Sequence, residues 1–362
     1  MESLENADVY TIGWIAALPI ERAAATALLD DRHSVPQDFE QNSSDSNSYT
    51  WGRMGVHNIV IASLPDGQYG TTSAATTASN LLASLPQIRI GLMVGIGGGI
   101  SRPAQERDVR LGDVVVGRPS GTIEGVLQYD LGKAKSGQAW ERTGQLSSPP
   151  QVLLNALSSL RAEHEIGDPK MLEFLKTMWE ANPKMRKSKN KVPAFIHQGF
   201  EHDRLFKSGH AHPLGNKTCE ACEAAWEEER DERDTTDPEI HYGLIASGNT
   251  LVKDADIRDK ILQVVGEDCI CLEMEAAGLM NHFPCLVIRG ICDYADSHKN
   301  DRWQRYASAT AAAFAKELLT YVPVKNLKST QKAIDILRSV SEDLRATQAV
   351  TISTKEDVEN IR

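Results

Sequence analysis

Glu273, Glu275 and Asp293 are candidate acid–base residues that lie in one short stretch of the chain, residues 270–296. Glu273 and Glu275 stand two residues apart, so on an extended segment they share one face. Asp293 follows the apolar run 285–288. Unpaired carboxylates between apolar runs are costly to bury, which favours a functional site over the alternative of a solvated acidic turn. A carboxyl group in an apolar setting can donate a proton near neutral pH, so the pattern predicts the floor of an acid–base active site.

The element that must position these acids is the apolar run 285–288, which is typical of a strand buried on both faces. Open α/β sheets place ligand sites just past the carboxyl ends of such strands, where Arg289 and Asp293 stand. Similar runs alternate with alanine-rich segments of helical character, with strands predicted at 9–18, 90–96, within 109–117 and at 240–247, a hairpin at 49–63, and helices at 21–29, 71–85 and 307–321. This alternation predicts an α/β fold with a largely parallel or mixed sheet.

The alternation is interrupted between residues 149 and 238. That stretch holds two helical pieces, a basic segment, a histidine-rich loop, a cysteine pair and an acidic run, and we interpret it as an insertion rather than core. The sequence thus predicts one domain over residues 9–322 with this insertion, followed by a polar tail, residues 323–362. Four apolar residues at helical spacing predict an amphipathic helix in that tail, namely Ala333, Ile336, Val340 and Leu344.

The charge of the chain excludes several classes of partner. Its 362 residues carry a net charge of −11, and binding to nucleic acid or to an anionic membrane requires a basic surface. No apolar run approaches the ~20 residues that span a bilayer, and the acidic N-terminus is unlike a secretory signal. Most of the six cysteines lie in apolar runs like small core residues. We therefore expect a reducing, cytoplasmic setting.

A glycine run, Gly95-Ile96-Gly97-Gly98-Gly99, follows the strand predicted at 90–96. Glycines at such a place let backbone N–H groups approach a ligand closely, and the alternative is a simple turn. The run is not a dinucleotide fingerprint, because Ile100 stands where the third glycine would be.

A cysteine pair, Cys219-x-x-Cys222, lies near His202, His210 and His212. This spacing permits a structural zinc site, whereas an unliganded surface loop is the alternative. No cofactor is otherwise required by the residues.

Several ordered motifs together resemble one family. The chain resembles the purine nucleoside phosphorylase/uridine phosphorylase superfamily, in particular its nucleosidase branch, which hydrolyses methylthioadenosine and S-adenosylhomocysteine. The matching stretches are IAALPIERAA (15–24), DGQYG (66–70), MVGIGGGI (93–100), LGDVVVG (111–117), GLIASGNTLV (243–252), CLEMEAAG (271–278) and VIRGICDYAD (287–296). The resemblance implies a three-layer α/β/α fold with a central mixed β-sheet, and a homo-oligomer.

The motifs GFEHDRLF, IHYGLIASG and IRGICDYADSHKN, together with the cysteine pair, are also similar to the nucleosidase-like module of fungal immune-type receptors. In those receptors the module precedes a nucleotide-binding oligomerisation domain or repeats. The resemblance therefore implies that the polar tail is a linker toward such a domain.

The resemblance also implies roles for individual residues. Asp293 matches the acid that protonates the purine at N7, Glu21 the base that activates water, and Glu275 the carboxylate that holds the ribose hydroxyls. The remaining matches are to substrate-binding positions, which are Met274 against the sugar, Glu273 in support, Arg289 near the ribose, Gly97 and Gly98 in the glycine run, and Ser247, Gly248 and Val252 around the base.

The chemistry needs these groups independently of any resemblance. Breaking the C1′–N9 bond develops positive charge on the sugar and negative charge on the leaving base. An acid on the base and a carboxylate on the ribose each lower that barrier. The resemblance, together with this chemistry, therefore predicts hydrolysis of the N-glycosidic bond of a purine nucleoside or nucleotide, with adenine as the expected base.

Two alternative functions stay open at this point. Phosphorolysis needs cationic side chains around a phosphate. Phosphorylases of the family carry an arginine where this chain has Met93, but Arg22, Arg53 and Arg102 can restore an anion site. ATP-like substrates are a further option, with arginines and a lysine as candidate triphosphate ligands, namely Arg102, Arg107, Arg110 and Lys133. The other alternative is a non-catalytic module that senses a purine nucleoside or nucleotide.

Overall fold

The apolar runs of the sequence form the strands of the protein. The computed structural model describes residue 4 and residues 6–134, 136, 141–215 and 218–339. The strands are β1 (Ile12–Ala16), β2 (Asp31–His33), β3 (Tyr49–Met54), β4 (His57–Ser63), β5 (Ile90–Gly99), β6 (Val114–Gly117), β7 (Val126–Gln128), β8 (Gly132–Lys133), β9 (Glu141–Arg142), β10 (Ile240–Ser247), β11 (Cys269–Glu273) and β12 (Cys285–Asp293). β1, β5 and β12 are buried at nearly every position, as expected of strands covered on both faces.

Ten of the described strands join one mixed sheet. Its order is β11-β10-β6-β12-β5-β1-β4-β3-β2, with β7 beside β10. β5 runs parallel to β1 and to β12, whereas β12 meets β6 antiparallel. β11 also pairs with the far end of β5, so five strands close into a ring that brings the carboxyl ends of β5, β11 and β12 together.

Helices cover both faces of this sheet. Helices α1, α3, α4 and α7 pack on one face, and α2 and α6 pack on the other. The helices are α1 (Pro19–Ala27), α2 (Thr71–Ser84), α3 (Gln151–His164), α4 (Met171–Ala181), α5 (Ala255–Val265), α6 (Ala276–Leu279), α7 (Gln304–Thr320) and α8 (Val324–Ser329), with residues 333–339 also helical. Single 3₁₀ turns occupy Ala7–Val9, Pro103–Gln105, Pro183–Arg186, Phe200–His202, Cys219–Ala221 and Ala224–Trp226. The predicted three-layer α/β/α fold with a central mixed sheet is confirmed.

Helix α7 closes the layer behind the site. It is buried along almost its whole length, because its alanines are small enough to pack closely against β12. Among the described helices, none has both the length and the apolar composition needed to cross a membrane.

The stretch predicted as an insertion is partly core. Helix α3 buries Leu153 and Leu160, and helix α4 buries Met171 and Leu175, all in the apolar layer that contains α7. The interpretation of residues 149–238 as lying outside the core is therefore wrong for these two helices. From about residue 183 onward the described part of the stretch, residues 183–215 and 218–238, consists of 3₁₀ turns, isolated β-bridges and loops.

The described part of the tail packs against the domain. Leu327 and Ala333 are buried, and the Ala333 N–H donates to the Ile88 carbonyl at 2.8 Å. Of the other tail positions predicted to form an amphipathic helix, Ile336 is described and belongs to the helical residues 333–339. Val340 and Leu344 lie outside the described residues. The domain boundary at residue 322 and the linker role of the tail stay predictions.

Two strands are longer than predicted, and both differences concern the site. β5 extends to Gly99, so the glycine run predicted as a loop belongs to the strand. β12 extends to Asp293, so Arg289 and Asp293 lie within the strand and not past its end. Both strands continue because they pair with each other as far as Gly98 and Asp293.

Candidate active site

A fully buried arginine organises the first part of the site. Arg289, on β12, contacts the Glu273 carboxylate at the end of β11, and Glu275 Oε2 lies 3.5 Å from the same Nη2 atom. Burial disfavours the guanidinium charge, but the carboxylates of Glu273, Glu275 and Glu21 raise the pKa of Arg289 overall. One fixed positive charge thus lies among three acids.

Glu275 is held between Arg289 and the loop before α2. Its Oε1 accepts a hydrogen bond from the Gly70 N–H at 3.2 Å. The net pKa of Glu275 is raised to about 7. Burial raises this pKa most, Arg289 lowers it, and the neighbouring Glu273 and Glu21 add to the rise. Each oxygen keeps lone pairs for further donors, so this carboxylate can accept hydrogen bonds from two ligand hydroxyls.

Glu21 is fixed by the backbone of two elements. It lies in the first turn of α1, and its Oε2 accepts from the Ala17 and Leu18 N–H groups at 2.6 and 2.8 Å. Its Oε1 accepts from the Ile96 N–H on β5 at 2.8 Å. Burial raises the pKa of Glu21, and Arg289 with these N–H donors offsets part of that rise. A carboxylate with a raised pKa and a fixed position is suited to take a proton from water.

Asp293 ends β12 beside a register shift in the pairing with β5. Its Oδ1 accepts from the Ala295 N–H at 2.9 Å, and its Oδ2 contacts the Lys299 ammonium. Ala295 itself has φ 52°, a left-handed conformation that is uncommon for a residue with a side chain. Such strain concentrates where surrounding structure fixes a functional group, and here it orients the carboxylate.

The glycines of β5 make room for these side chains. A Cβ atom at Gly95 would lie 2.5 Å from both Arg289 Nη1 and Glu21 Oε1, and one at Gly98 would lie 2.9 Å from Asp293 Oδ1. Gly95 thus lies beside Arg289 and Glu21, and Gly98, roughly 10 Å further along β5 at about 3.3 Å per residue, lies beside Asp293.

Other predicted site residues support this group. Ser247 Oγ accepts from the Ala277 N–H at 2.9 Å, and the Gly248 N–H donates to the Glu273 carbonyl at 3.2 Å. Met274 is half-buried between the two acids, and Gly97 packs against Arg289 and Cys271. Val252 is buried in the same apolar cluster as Ala295, the neighbour of Asp293.

The three candidate phosphate-binding arginines do not come together. Arg53 pairs with Asp31 on the exposed hairpin, and Arg102 donates to the Glu267 carbonyl at 2.6 Å. Both guanidinium groups therefore bind partners other than the acids around Arg289. Arg22 instead follows Glu21 and donates to hydroxyl groups, which are those of Ser48, Thr50 and Ser63. Among the described residues no carboxylate lies within ion-pair distance of Arg22.

Lys299 has no assigned role in the sequence analysis. Its contact with Asp293 covers the Oδ2 atom, the side of the carboxyl group that the Ala295 N–H leaves free. Lys299 lies in the motif IRGICDYADSHKN, which carries part of the resemblance. Only its contact with Asp293 in the fold identifies Lys299 as a site residue. Gly95 was likewise inside a recognised motif without being singled out.

A large cavity opens next to Asp293. Its volume is about 770 Å³, and its wall is shared by the end of β12, the following loop and the segment around residues 188–220. Asp293, Tyr294 and Lys299 line it together with Arg204 and Cys219. This is a route by which a ligand of nucleotide size can reach the acid.

Comparisons with known proteins show what the chain is similar to. No protein-family model matches the chain. A "Nucleotide-binding leucine-rich repeat (NLR)-like protein" of Hyaloscypha variabilis is 43% identical over 319 residues, which cover 88% of this chain and 30% of that protein. "ATP nucleosidase Cap17" of Escherichia coli is 33% identical over 87 residues, 23% of this chain and 17% of that protein. The chain thus spans less than a third of the length of the curated relatives it matches.

A solved structure decides the fold. The 5′-methylthioadenosine/S-adenosylhomocysteine nucleosidase of Neisseria meningitidis superposes with a TM-score of 0.53 and 16% identity, over 86% of this chain and 98% of that chain. The chain has the methylthioadenosine/S-adenosylhomocysteine nucleosidase fold. The resemblance to the nucleosidase-like branch, predicted from the sequence motifs, is confirmed. In this chain Glu21, Glu273 and Glu275 lie around Arg289, and Asp293 lies at the end of β12 beside Gly98.

Proposed function

We propose that the protein hydrolyses the N-glycosidic bond of a purine nucleoside or nucleotide and releases the free base. The observation that supports the proposal is the placement of three buried acids from separate elements, with Glu21 and Glu275 beside Arg289 and Asp293 at the end of β12 next to β5. Hydrolysis of this bond needs a base for water, a partner for the ribose and an acid for the leaving group.

The ribose is proposed to lie over Glu275. Its 2′- and 3′-hydroxyls donate to the carboxylate, whose negative charge stabilises the positive charge that develops on the sugar. Glu273 keeps Arg289 in place and also accepts from the N–H groups of Glu275 and Ala276, at 3.1 Å each. The ribose-binding carboxylate is therefore oriented before substrate arrives.

The proton transfers are proposed to occur at the two ends of the site. At one end Glu21 takes a proton from water, and the water oxygen forms the new bond to C1′. At the other end the C1′–N9 electron pair goes to the base, which receives a proton at N7 from Asp293. Because Lys299 contacts Asp293 Oδ2 in this structure, the base must displace the ammonium group to reach that atom.

The finer identity of the substrate is also proposed here. Adenine nucleotides, including ATP, fit the name of the Escherichia coli relative, and the cavity beside Asp293 has room for one. We further propose that the chain is the nucleosidase-like module of a longer receptor-type protein, located in the cytoplasm, since its fungal relative is NLR-like and much longer. Assembly into a homo-oligomer stays a prediction.

Phosphorolysis is the second candidate, favoured by one observation. The Arg22 guanidinium lies next to Glu21 in sequence, is bound to hydroxyl groups and has no carboxylate partner among the described residues. Such an arginine can bind phosphate. Against this candidate, Glu21 places a negative charge where a phosphate nucleophile would have to approach.

The test is base release from adenosine, methylthioadenosine, AMP and ATP, measured by chromatography with and without phosphate. Hydrolysis predicts phosphate-independent release of adenine. We expect Asp293→Asn to lower kcat/KM by about 10²–10⁴-fold, the usual contribution of a general acid. The exposed acid Asp268, changed to Asn, is the matched control and should leave the rate unchanged. Wild-type rates in Asp293→Asn would remove the acid assignment.

A further inference from the structure

Two thiols and an imidazole come together in the segment that faces the cavity. One ligand atom from each of His212, Cys219 and Cys222 lies within 4.8 Å of the others. Both cysteines are free thiols. They flank a single 3₁₀ turn in which the Cys222 N–H donates to the Cys219 carbonyl at 3.0 Å. Ligands of a tetrahedral zinc ion are separated by roughly 3.5 Å, given bonds of about 2.0–2.3 Å, so small movements close this group onto an ion.

A fourth side chain, His298, lies outside this 4.8 Å group but next to it, and its ring lacks hydrogen-bond partners among the described residues. His298 is buried, and neither of its ring nitrogens has a hydrogen-bond partner among the described residues. Its ring centroid lies 5.3 Å from that of His212, and its carbonyl lies 3.8 Å from Cys219 Sγ. A buried imidazole without partners is costly. A metal ion bound to one nitrogen would remove that cost.

The environment of His298 suits a ligating histidine. The Asp296 Oδ2 atom lies 3.6 Å from the His298 Nδ1 atom. Histidines that bind zinc through one nitrogen commonly direct the other to a carboxylate, which fixes the ring. The imidazole ring of His298 stacks on the Phe206 ring, with the two ring centroids 3.8 Å apart. This stacking fixes the plane of the imidazole.

We propose that His212, Cys219, Cys222 and His298 bind one zinc ion. Two thiolates and two neutral imidazoles form a closed tetrahedral set, which is a structural type of zinc site and leaves no position for substrate. Each thiol loses its proton to solvent when the ion binds, so the two thiolates balance the charge of Zn²⁺.

The proposed ion would join two parts of the chain that meet at the cavity. His212, Cys219 and Cys222 belong to the segment after α4, and His298 belongs to the loop after β12. The next residue in that loop is Lys299, which contacts Asp293. The zinc would therefore hold the cavity wall and the position of the lysine relative to the acid, without touching substrate.

The first test is the metal content of the full chain, purified under reducing conditions without chelator and measured by mass spectrometry. We expect about one zinc per chain, and less than about one tenth of that in Cys219→Ser and in Cys222→Ser. The matched control is His210→Gln, a neighbouring histidine that stacks on Trp226 outside the group, and it should keep the zinc. Wild-type protein without stoichiometric zinc, or equal zinc in the cysteine variants, would overturn the proposal.

A second measurement covers the case in which a cysteine variant does not fold. Cobalt(II) added to the metal-free wild-type chain should give the intense visible bands of a tetrahedral site and a thiolate-to-cobalt charge-transfer band. His298→Gln should weaken zinc binding in competition with a chromogenic chelator, and Asp296→Asn should weaken it by about 10–100-fold through the histidine it orients. Absence of the cobalt bands, or unchanged affinity in His298→Gln, would refute the fourth ligand and the site as proposed.

Discussion

Replacing Glu275 with Gln should remove a large pH dependence from the stability of the protein. Burial raises the pKa of Glu275 from 4.5 to about 7, with Arg289 opposing and Glu273 adding to the rise. A carboxyl group whose folded pKa is raised stabilises the fold fully below its unfolded pKa, and that stability is lost as the pH rises through the folded pKa. The difference between 4.5 and about 7 corresponds to about 3.4 kcal/mol. Roughly 2.5 kcal/mol of this falls between pH 5 and pH 8.5.

The assay is urea unfolding of wild type and Glu275→Gln across that pH range, followed by circular dichroism. The free energy of unfolding of the variant, relative to wild type, should increase by about 2–3 kcal/mol from pH 5 to pH 8.5. Glu267→Gln, at an exposed position near β11, is the control and should show a flat difference. A flat difference for Glu275→Gln as well would refute the argument that the buried acid cluster raises this pKa.

Three further substitutions test the site. Glu21→Gln should lower kcat by about 10²–10⁴-fold while calorimetric affinity for a nucleoside changes little, because the base acts on water; an unchanged kcat would contradict this. Gly98→Ala places a methyl group 2.9 Å from Asp293 Oδ1. We therefore expect a loss of about 1–3 kcal/mol in the free energy of unfolding, together with a lower kcat. Normal kinetics would show that this close approach is unimportant for the reaction. Arg22→Gln tests the phosphorolysis candidate, since it should abolish any phosphate-dependent base release while Arg53→Gln leaves that release unchanged. Equal effects of the two substitutions would remove the phosphate-binding role from Arg22.

The sequence predicted the layers of the fold because its apolar runs and alanine-rich segments have clear periodicities. It did not predict that the glycine run belongs to β5. Glycines occur both in turns and at strand positions where other groups approach the backbone closely. Which of the two applies to this run depends on Glu21, Arg289 and Asp293, which approach it from distant parts of the chain. Helices α3 and α4 were assigned to an insertion because their place in the core depends on α7, which follows them by more than a hundred residues.

The acids of the site were predicted by their types and by family motifs, but their partners were not. Arg289 and Glu273 stand near each other in sequence, and their contact is only visible in the pairing of β11 and β12 with β5. Arg102 was a reasonable anion ligand by charge, yet in the fold it binds backbone carbonyls near β11. Charge alone cannot distinguish these roles, since each depends on what lies across the sheet.

The most direct test of the proposed activity is the fate of the oxygen atom at C1′. A purine nucleoside or nucleotide is incubated with the protein in water enriched in oxygen-18, without phosphate, and the products are analysed by mass spectrometry. The roles proposed for Glu21, Glu275 and Asp293 predict free base and a ribose product that carries one oxygen-18 atom at C1′. Ribose 1-phosphate formed only when phosphate is added, or no base release from any of the four substrates, would contradict hydrolysis at this site.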